Sequence, residues 1–323
     1  MKVLVLGATG LLGHRVCREL ATRGIDVAGV SRRGGAAPGA PAGIPVTAYD
    51  SAAASDGELR DLLTGYDALV YALGPDDRER VRGSAREFFT ERLVGPTARV
   101  AAAAGEVGVG RLVILGSYFA AMHRVHPQWR LAERHPYVAA RVEQTQAARA
   151  AAGATDVVTL EIPYVFGVVP GIMPMWKSVL FDVIRRSPIV PAPPGGTAVV
   201  TVVQVGQAVA TLVESGAPDP QVAVGDANLT FTTLFGIIAD ELGLRRPRVR
   251  VPVPLLTVGM AAELVSMRLK GLDSGLDPLR LAPDLLGRSL YVDLPKSRSV
   301  LRHETGGVEA AIRASVRAAY PGL

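Results

Sequence analysis

Two sets of residues in this sequence have the types and spacing to do chemistry. The first is a glycine triplet, Gly7, Gly10 and Gly13, directly after the apolar run KVLVL and before an amphipathic continuation. Strand, tight turn and helix is the order this implies. Gly7 can supply the turn, Gly10 removes the side chain that would hold a diphosphate off the backbone, and Gly13 lets the helix pack close to the strand. Free N–H groups at the start of that helix, together with its dipole, then make an anion site. Without this setting the triplet would read as an ordinary glycine-rich turn. The second set is Tyr137 with Arg141 four residues on, in PYVAAR. Four residues is about one helical turn, so the two share a face. A phenol titrating at about 10 is a poor proton carrier at neutral pH unless a fixed cation stabilises its phenolate.

The bulk of the chain bounds what can hold these residues in place. A length of 323 residues, 49% of them apolar, is ample for a substantial core. No uninterrupted run of about 18 apolar residues occurs, so no membrane partner is expected. The chain enters its first strand at once, without the charged, apolar and small-residue regions of a signal peptide, and a cytoplasmic location is expected. The single cysteine, Cys17, excludes an internal disulfide and suits a reducing compartment. The net charge of +5 comes from arginines scattered among acids, with lysine only at 2, 177, 270 and 296, so no nucleic-acid partner is expected.

Strands and helices alternate through the first half. Helix 11–23 stops at Gly24, strand 25–31 follows, and 34–44 (GGAAPGAPAGI) is expected to be a flexible connection. A short strand 45–49, helix 56–64 and strand 67–73 come next, then one long helix over 84–104. Strand 111–116 leads to Ser117, and 118–136 reads as a long pocket-shaping loop. Helix 137–152 and strand 156–162 complete an α/β pattern that implies a doubly wound parallel sheet of the Rossmann type over 1–163. Residues 164–323 are expected to form a smaller, mainly helical substrate lobe with some elements returning to the sheet. In it, strands are expected at 199–205, 221–225 and 248–253, an extended piece at 292–294, and helices at 176–186, 206–214 and 230–242. At the end of the second strand an acid would hold a ribose 2′-hydroxyl and arginine a 2′-phosphate. The residues there are Ser31, Arg32 and Arg33, which favour NADP (NADPH) over NAD, although a solvated arginine pair would look the same.

The GxxGxxG spacing, HPYVAAR and LEIPYVFG resemble the short-chain dehydrogenase/reductase superfamily, in particular its atypical extended branch, the NAD-dependent epimerase/dehydratase-like family. The resemblance implies that Tyr137 acts as general acid/base and that Ser117 polarises the substrate oxygen. It also implies that the residue four beyond the tyrosine grips the nicotinamide ribose and lowers the tyrosine pKa. That residue is lysine in the family and Arg141 here, which keeps a permanent charge on a bulkier, differently aimed fork. Asp50 is carried over as the partner of the adenine amino group, with Ser51 beside it. Thr9, Gly10, Leu11 and Leu12 fall on the diphosphate turn, Ala72, Leu73 and Gly74 on the cofactor edge of the fourth strand, and Pro163 and Val165 beside the nicotinamide. The family's asparagine three residues before a glycine is replaced by Arg92, ahead of Gly95.

The expected activity is that of an NADP(H)-dependent oxidoreductase passing hydride between nicotinamide and a carbonyl or alcohol of a neutral small metabolite. An epimerase, dehydratase or isomerase with a retained cofactor, or a non-catalytic NADP-binding sensor, is the alternative. A homodimer through helices 84–104 and 137–152 is the family's usual arrangement. No metal site is expected: His123 and His126 lack a third ligand. Tyr118, His123, His126, His135 and Tyr164 are candidates for substrate contact, and Met173, Met175 and Trp176 for core or pocket wall.

Overall fold

The main sheet grows outward from the first strand. A computed structural model describes residues 1–322. Strand β1 (Lys2–Leu6) is buried from Val3 onward, as an apolar strand covered on both faces must be. The chain continues through α1 (Leu11–Thr22), β2 (Asp26–Ser31), β3 (Val46–Ala48), α2 (Asp56–Leu63) and β4 (Ala68–Tyr71). It then runs through α3 (Gly95–Glu106), β5 (Arg111–Ser117), α4 (Tyr118–Val125), α5 (Pro136–Ala151), β6 (Asp156–Ile162), α6 (Val202–Ser215) and β7 (Gln221–Ala223). The seven strands form one sheet in the order β7-β6-β5-β4-β1-β2-β3, and every pair is parallel. The expected doubly wound sheet is therefore the fold. Chain direction across the sheet reverses between β1 and β4, and an open α/β sheet has its ligand crevice at that point, outside the carboxyl ends of the strands.

Alternate residues of β1 serve opposite faces of the sheet. Val3 and Val5 pack with Val16 and Leu20 of α1 and with Val205, Val209 and Leu212 of α6. Leu4 and Leu6 pack with Leu59 and Leu63 of α2, Val100 and Ala104 of α3, and Ala148 of α5. Each fully buried aliphatic side chain of this kind contributes about 1.5–3 kcal/mol. Because α6 and β7 lie beyond residue 163, the C-terminal half contributes a strand and a helix to the main sheet. The rest of that half holds a smaller sheet. Its strand Gly196–Thr201 pairs with Ala227–Thr230 antiparallel and with Tyr164–Phe166 and Ser289–Leu290 parallel. Helices Phe231–Glu241 and Val308–Ala319 pack on it, Leu294–Leu301 packs on α6, and Val253–Leu269 packs on the short helix Pro278–Leu281.

Several local expectations are corrected. The long helix over 84–104 is Ala85–Phe89, a π turn at Thr90–Val94 and then α3; such a turn inserts a residue and shifts the face that follows. The stretch 118–136 is mostly helical, with α4 starting directly at Tyr118, because the Ser117 hydroxyl accepts from the Phe119 N–H and caps it. The strand expected over 199–205 ends at Thr201. There a capping box with Gln204 overrides the β-branched run and starts α6 at Val202. Strand Arg248–Arg250 is shorter than the expected 248–253, and the extended piece lies at Ser289–Leu290 rather than 292–294.

Candidate active site

At the diphosphate end, β1 delivers Gly7 at φ +91, and the N–H groups of Gly7 and Ala8 donate to the Val30 carbonyl at 2.9 and 3.2 Å. A Cβ on Gly7 would stand 2.5 Å from the Ala72 carbonyl oxygen, and one on Gly13 would overlap the Gly7 carbonyl. Both glycines are demanded by packing. Gly10 is different: it is exposed, and a Cβ there would meet only the Gly7 oxygen, at 3.4 Å. Gly10 is also the N-cap of α1 and offers no side-chain acceptor to the first-turn amides of Leu11, Leu12 and Gly13. Free amides beside a bare, open glycine fit a dinucleotide diphosphate.

The loop over 34–44 is not the free connection expected. His14 Nδ1 lies 2.9 Å from the Gly39 carbonyl, Gly39 lies so close to the Thr9 carbonyl that a side chain would collide, and Pro38 packs on Gly171. This covers the Thr9 side of the turn and leaves Gly10 open. Beside it, Ser31 is buried at the end of β2, while Arg32 and Arg33 are exposed and make no hydrogen bond or ion pair among the described residues. Asp50 is exposed beyond β3, with Oδ1 accepting from the Ala52 N–H at 3.1 Å, and Ser51 is half-buried next to it.

The catalytic candidates meet at the carboxyl edge of β5. Ser117 ends that strand, and Tyr137 and Arg141 project from the first turns of α5; all three are buried. Arg141 Nε donates to the Tyr137 hydroxyl at 3.0 Å, and Nη1 donates to the Leu115 carbonyl at 3.2 Å and to Gln144 Oε1 at 2.8 Å. Gln144 donates in turn to Thr97 at 2.8 Å. The guanidinium is thus locked by three protein groups, and Nη2 is left without a hydrogen bond among the described residues. Burial pushes the Tyr137 phenol above its ordinary value, against the Arg141 charge, the Arg141 hydrogen bond and the neighbouring Ser117 hydroxyl. Arg141 draws this pKa down, but desolvation is the larger effect, so the phenol lies above its ordinary value.

Ala72, Leu73 and Gly74 follow β4, and Gly74, at φ +122, faces the Leu93 side chain. Arg92 is exposed, so the residue turned toward this edge is Leu93, a consequence of the π turn. Pro163 and Val165 are buried beyond β6, and the Val165 carbonyl accepts from Trp176 Nε1 at 2.7 Å.

Sequence reasoning missed three contributors. Asp77, in the GPDDRE turn after β4, keeps part of its surface open and makes no side-chain hydrogen bond among the described residues. Burial of its carboxyl and the neighbouring Asp76 push it up to about 6, against the charges of Arg78 and Arg141. Its charge also bears on Tyr118, Tyr137 and Tyr164, raising each phenol further. Arg78 is held by Asp76 and the Met175 carbonyl and sits 5.7 Å over Trp176, which stacks on Tyr164 at 4.4 Å. Gly275 comes from the far C-terminal half, and its carbonyl accepts from the Tyr137 N–H at 2.9 Å. An acid pair at the end of a parallel strand was a signal that could have found Asp77; nothing local marks Gly275.

Most of the remaining candidates are engaged by other protein groups. Tyr118 is buried against Thr197 at 2.9 Å, His126 stacks on Trp129 at 4.0 Å, and Met173 is exposed rather than core. His135 is fully buried; its Nδ1 accepts from the Asp277 N–H at 3.1 Å, and burial lowers its pKa and keeps it neutral.

The sequence profile of the NAD dependent epimerase/dehydratase family matches residues 3–187. Among solved structures, that of gox2253 aligns with TM-score 0.75 at 18% identity, covering 99% of this chain and 97% of that one. MoeE5 in complex with UDP-glucuronic acid and NAD aligns with TM-score 0.67 at 17% identity over 100% of both chains. PA4631, a nucleoside-diphosphate-sugar epimerase from Pseudomonas aeruginosa, aligns with TM-score 0.63 at 18% identity, covering 98% and 96%. No protein of curated function matches the sequence.

Proposed function

We propose that this chain, which belongs to the NAD dependent epimerase/dehydratase family, is an enzyme that oxidises and re-reduces one carbon of a nucleotide-sugar substrate and releases an epimerised or dehydrated product. The observation that carries this reading is the buried Tyr137–Arg141 contact at 3.0 Å beside Ser117, on the same sheet edge as the open Gly10. The chemistry a nicotinamide dinucleotide supplies is reversible hydride acceptance. Tyr137 takes the proton of the substrate hydroxyl as that carbon is oxidised and gives it back as the carbon is reduced. The Ser117 hydroxyl orients the same oxygen, and Arg141 offsets the phenolate charge that burial disfavours. Its free Nη2 is the donor available to a ribose hydroxyl.

Nucleotide sugars replace the neutral small metabolite expected from the sequence, because relatives of the same fold carry them in their solved complexes. For the cofactor itself, exposed and unpaired Arg32 and Arg33 beside Ser31 support NADP over the NAD of those relatives. Net oxidoreduction is the second reading, favoured by the same arginines. One experiment separates the two: purified protein is incubated with a panel of UDP-sugars while nicotinamide absorbance is followed. Product without net cofactor change is expected; carbonyl reduction with stoichiometric NADPH consumption would replace this reading with the second. Arg32→Ala with Arg33→Ala is expected to weaken NADPH binding about tenfold and to leave NADH unchanged. Equal affinities for the two cofactors in the wild type would overturn the NADP assignment.

A further inference from the structure

Helix Val253–Leu269 breaks the usual rule for a surface helix. Of its 17 residues only Met267 is buried. Leu255, Val258, Val265 and Leu269 are 61, 68, 57 and 83% exposed. With exposed Ala262 they recur at alternating steps of three and four, which puts them on a single outward stripe. The opposite side, through half-buried Leu256, Met260 and Leu264, faces the rest of the protein, so the helix is apolar all round. Its one acid, Glu263, is tied to Arg80. Leu279, on the adjoining helix Pro278–Leu281, adds to the exposed patch.

Around this stripe stand Arg250, Arg268, Lys270 and Arg280, all exposed and none in an ion pair among the described residues. No helix of the described residues is long and apolar enough to cross a membrane, and the chain on both sides of this one returns to small strands, at Arg248–Arg250 and Leu272–Ser274. An apolar helical face rimmed with unpaired cations has the chemistry of a segment that lies in a bilayer interface. A second copy docked symmetrically on the same face would bring the same cations together, and the one acid of the helix, Glu263, is already paired with Arg80. Lipid phosphates would meet them directly.

We infer that helix Val253–Leu269 is a docking surface for an anionic lipid membrane, with the Leu255, Val258, Val265 and Leu269 stripe entering the interface and the flanking arginines and Lys270 on headgroup phosphates. The sequence argument against a membrane partner concerned spanning helices; lying on the surface is a separate property. Six residues past Leu269 the chain reaches Gly275, whose carbonyl holds the start of α5 at Tyr137, so the docked segment is tied directly to the catalytic end.

The test is vesicle co-sedimentation of the full chain at low salt, on phosphatidylcholine alone and on phosphatidylcholine mixed with phosphatidylglycerol. Binding to the mixed vesicles at least about tenfold tighter than to the neutral ones is expected, falling as salt rises. Val258→Glu with Val265→Glu is expected to lose that binding, and Arg268→Gln with Lys270→Gln to weaken it and flatten its salt dependence. Unchanged cofactor titration checks that the variants fold. The inference is overturned if wild type ignores both vesicles or if the paired glutamates bind as well as wild type. It is also overturned if the wild type is a dimer that those glutamates split while no vesicle binding is seen.

Discussion

The two ends of the crevice are made differently. At Gly7, Gly10 and Gly13 the proposed function rests on side chains that are absent and on the first-turn amides of Leu11, Leu12 and Gly13, which have no acceptor among the described residues. At Ser117, Tyr137 and Arg141 it rests on side chains whose properties are set by opposing effects, burial lifting the phenol and the guanidinium holding it down. A site of the first kind is specified within one strand, turn and helix. A site of the second kind depends on what several distant segments place around it, here Gln144, Thr97, Asp77 and Gly275.

The sharpest test of the side-chain end is Tyr137→Phe, which is expected to cut turnover about 10²–10⁴-fold and leave cofactor affinity unchanged. Full activity in that variant would remove Tyr137 from the mechanism. Arg141→Ala takes away the charge that opposes burial, so the tyrosine pKa rises further; the limb of the pH–rate profile that needs phenolate should move to higher pH. A profile that does not move would show that Arg141 has no hold on the phenol.

The backbone end breaks in a different currency, and the two glycines should part company. Gly13→Ala drives a Cβ into the Gly7 carbonyl and is expected to cost about 1–3 kcal/mol in denaturant unfolding. Gly10→Ala should leave stability within about 0.5 kcal/mol and weaken dinucleotide binding by about tenfold. Equal effects of the two changes on stability would mean that Gly10 too is there for packing.

The smallest effect belongs to Asp77. Its carboxyl, raised to about 6 first by burial and then by Asp76, holds a proton more tightly in the fold than in the unfolded chain. Stability should therefore fall as pH rises through the window from about 4 to about 6, and the loss persists above it. Asp77→Asn removes that dependence and should stabilise the protein by about 1–2 kcal/mol at neutral pH. Parallel pH–stability curves for the two proteins would show that the carboxyl is not buried against its neighbours.

Much of the first half could be read in the sequence because its signals are local. Lys2 to Leu6, the glycine spacing and the apolar periodicity of α1 each specify their own element, and the β1-to-β6 alternation specifies a parallel sheet. The errors fell where a local preference met a competing contact. The β-branched run after Val199 lost to the Thr201–Gln204 capping box, the loop after Ser117 became helix through a single serine cap, and the helix expected from 84 widened at Thr90 to Val94. At the site, the residue types and the Tyr137–Arg141 spacing were visible, whereas Arg92 was given a place that Leu93 occupies, because one inserted residue rotates a helical face.

The sequence by itself determined the sheet, the diphosphate turn and the presence of a tyrosine and a cation one helical turn apart, since each depends on residues close together in the chain. Only the tertiary structure decided the environment of that pair: three fixed partners for Arg141, a carboxylate from the β4 turn whose charge bears on the Tyr137 phenol, and the Gly275 carbonyl at the start of α5. It also decided that the apolar helix Val253–Leu269 faces outward at Leu255, Val258, Val265 and Leu269. Burial is a property of the whole fold, and both a pKa and an exposed face follow from it.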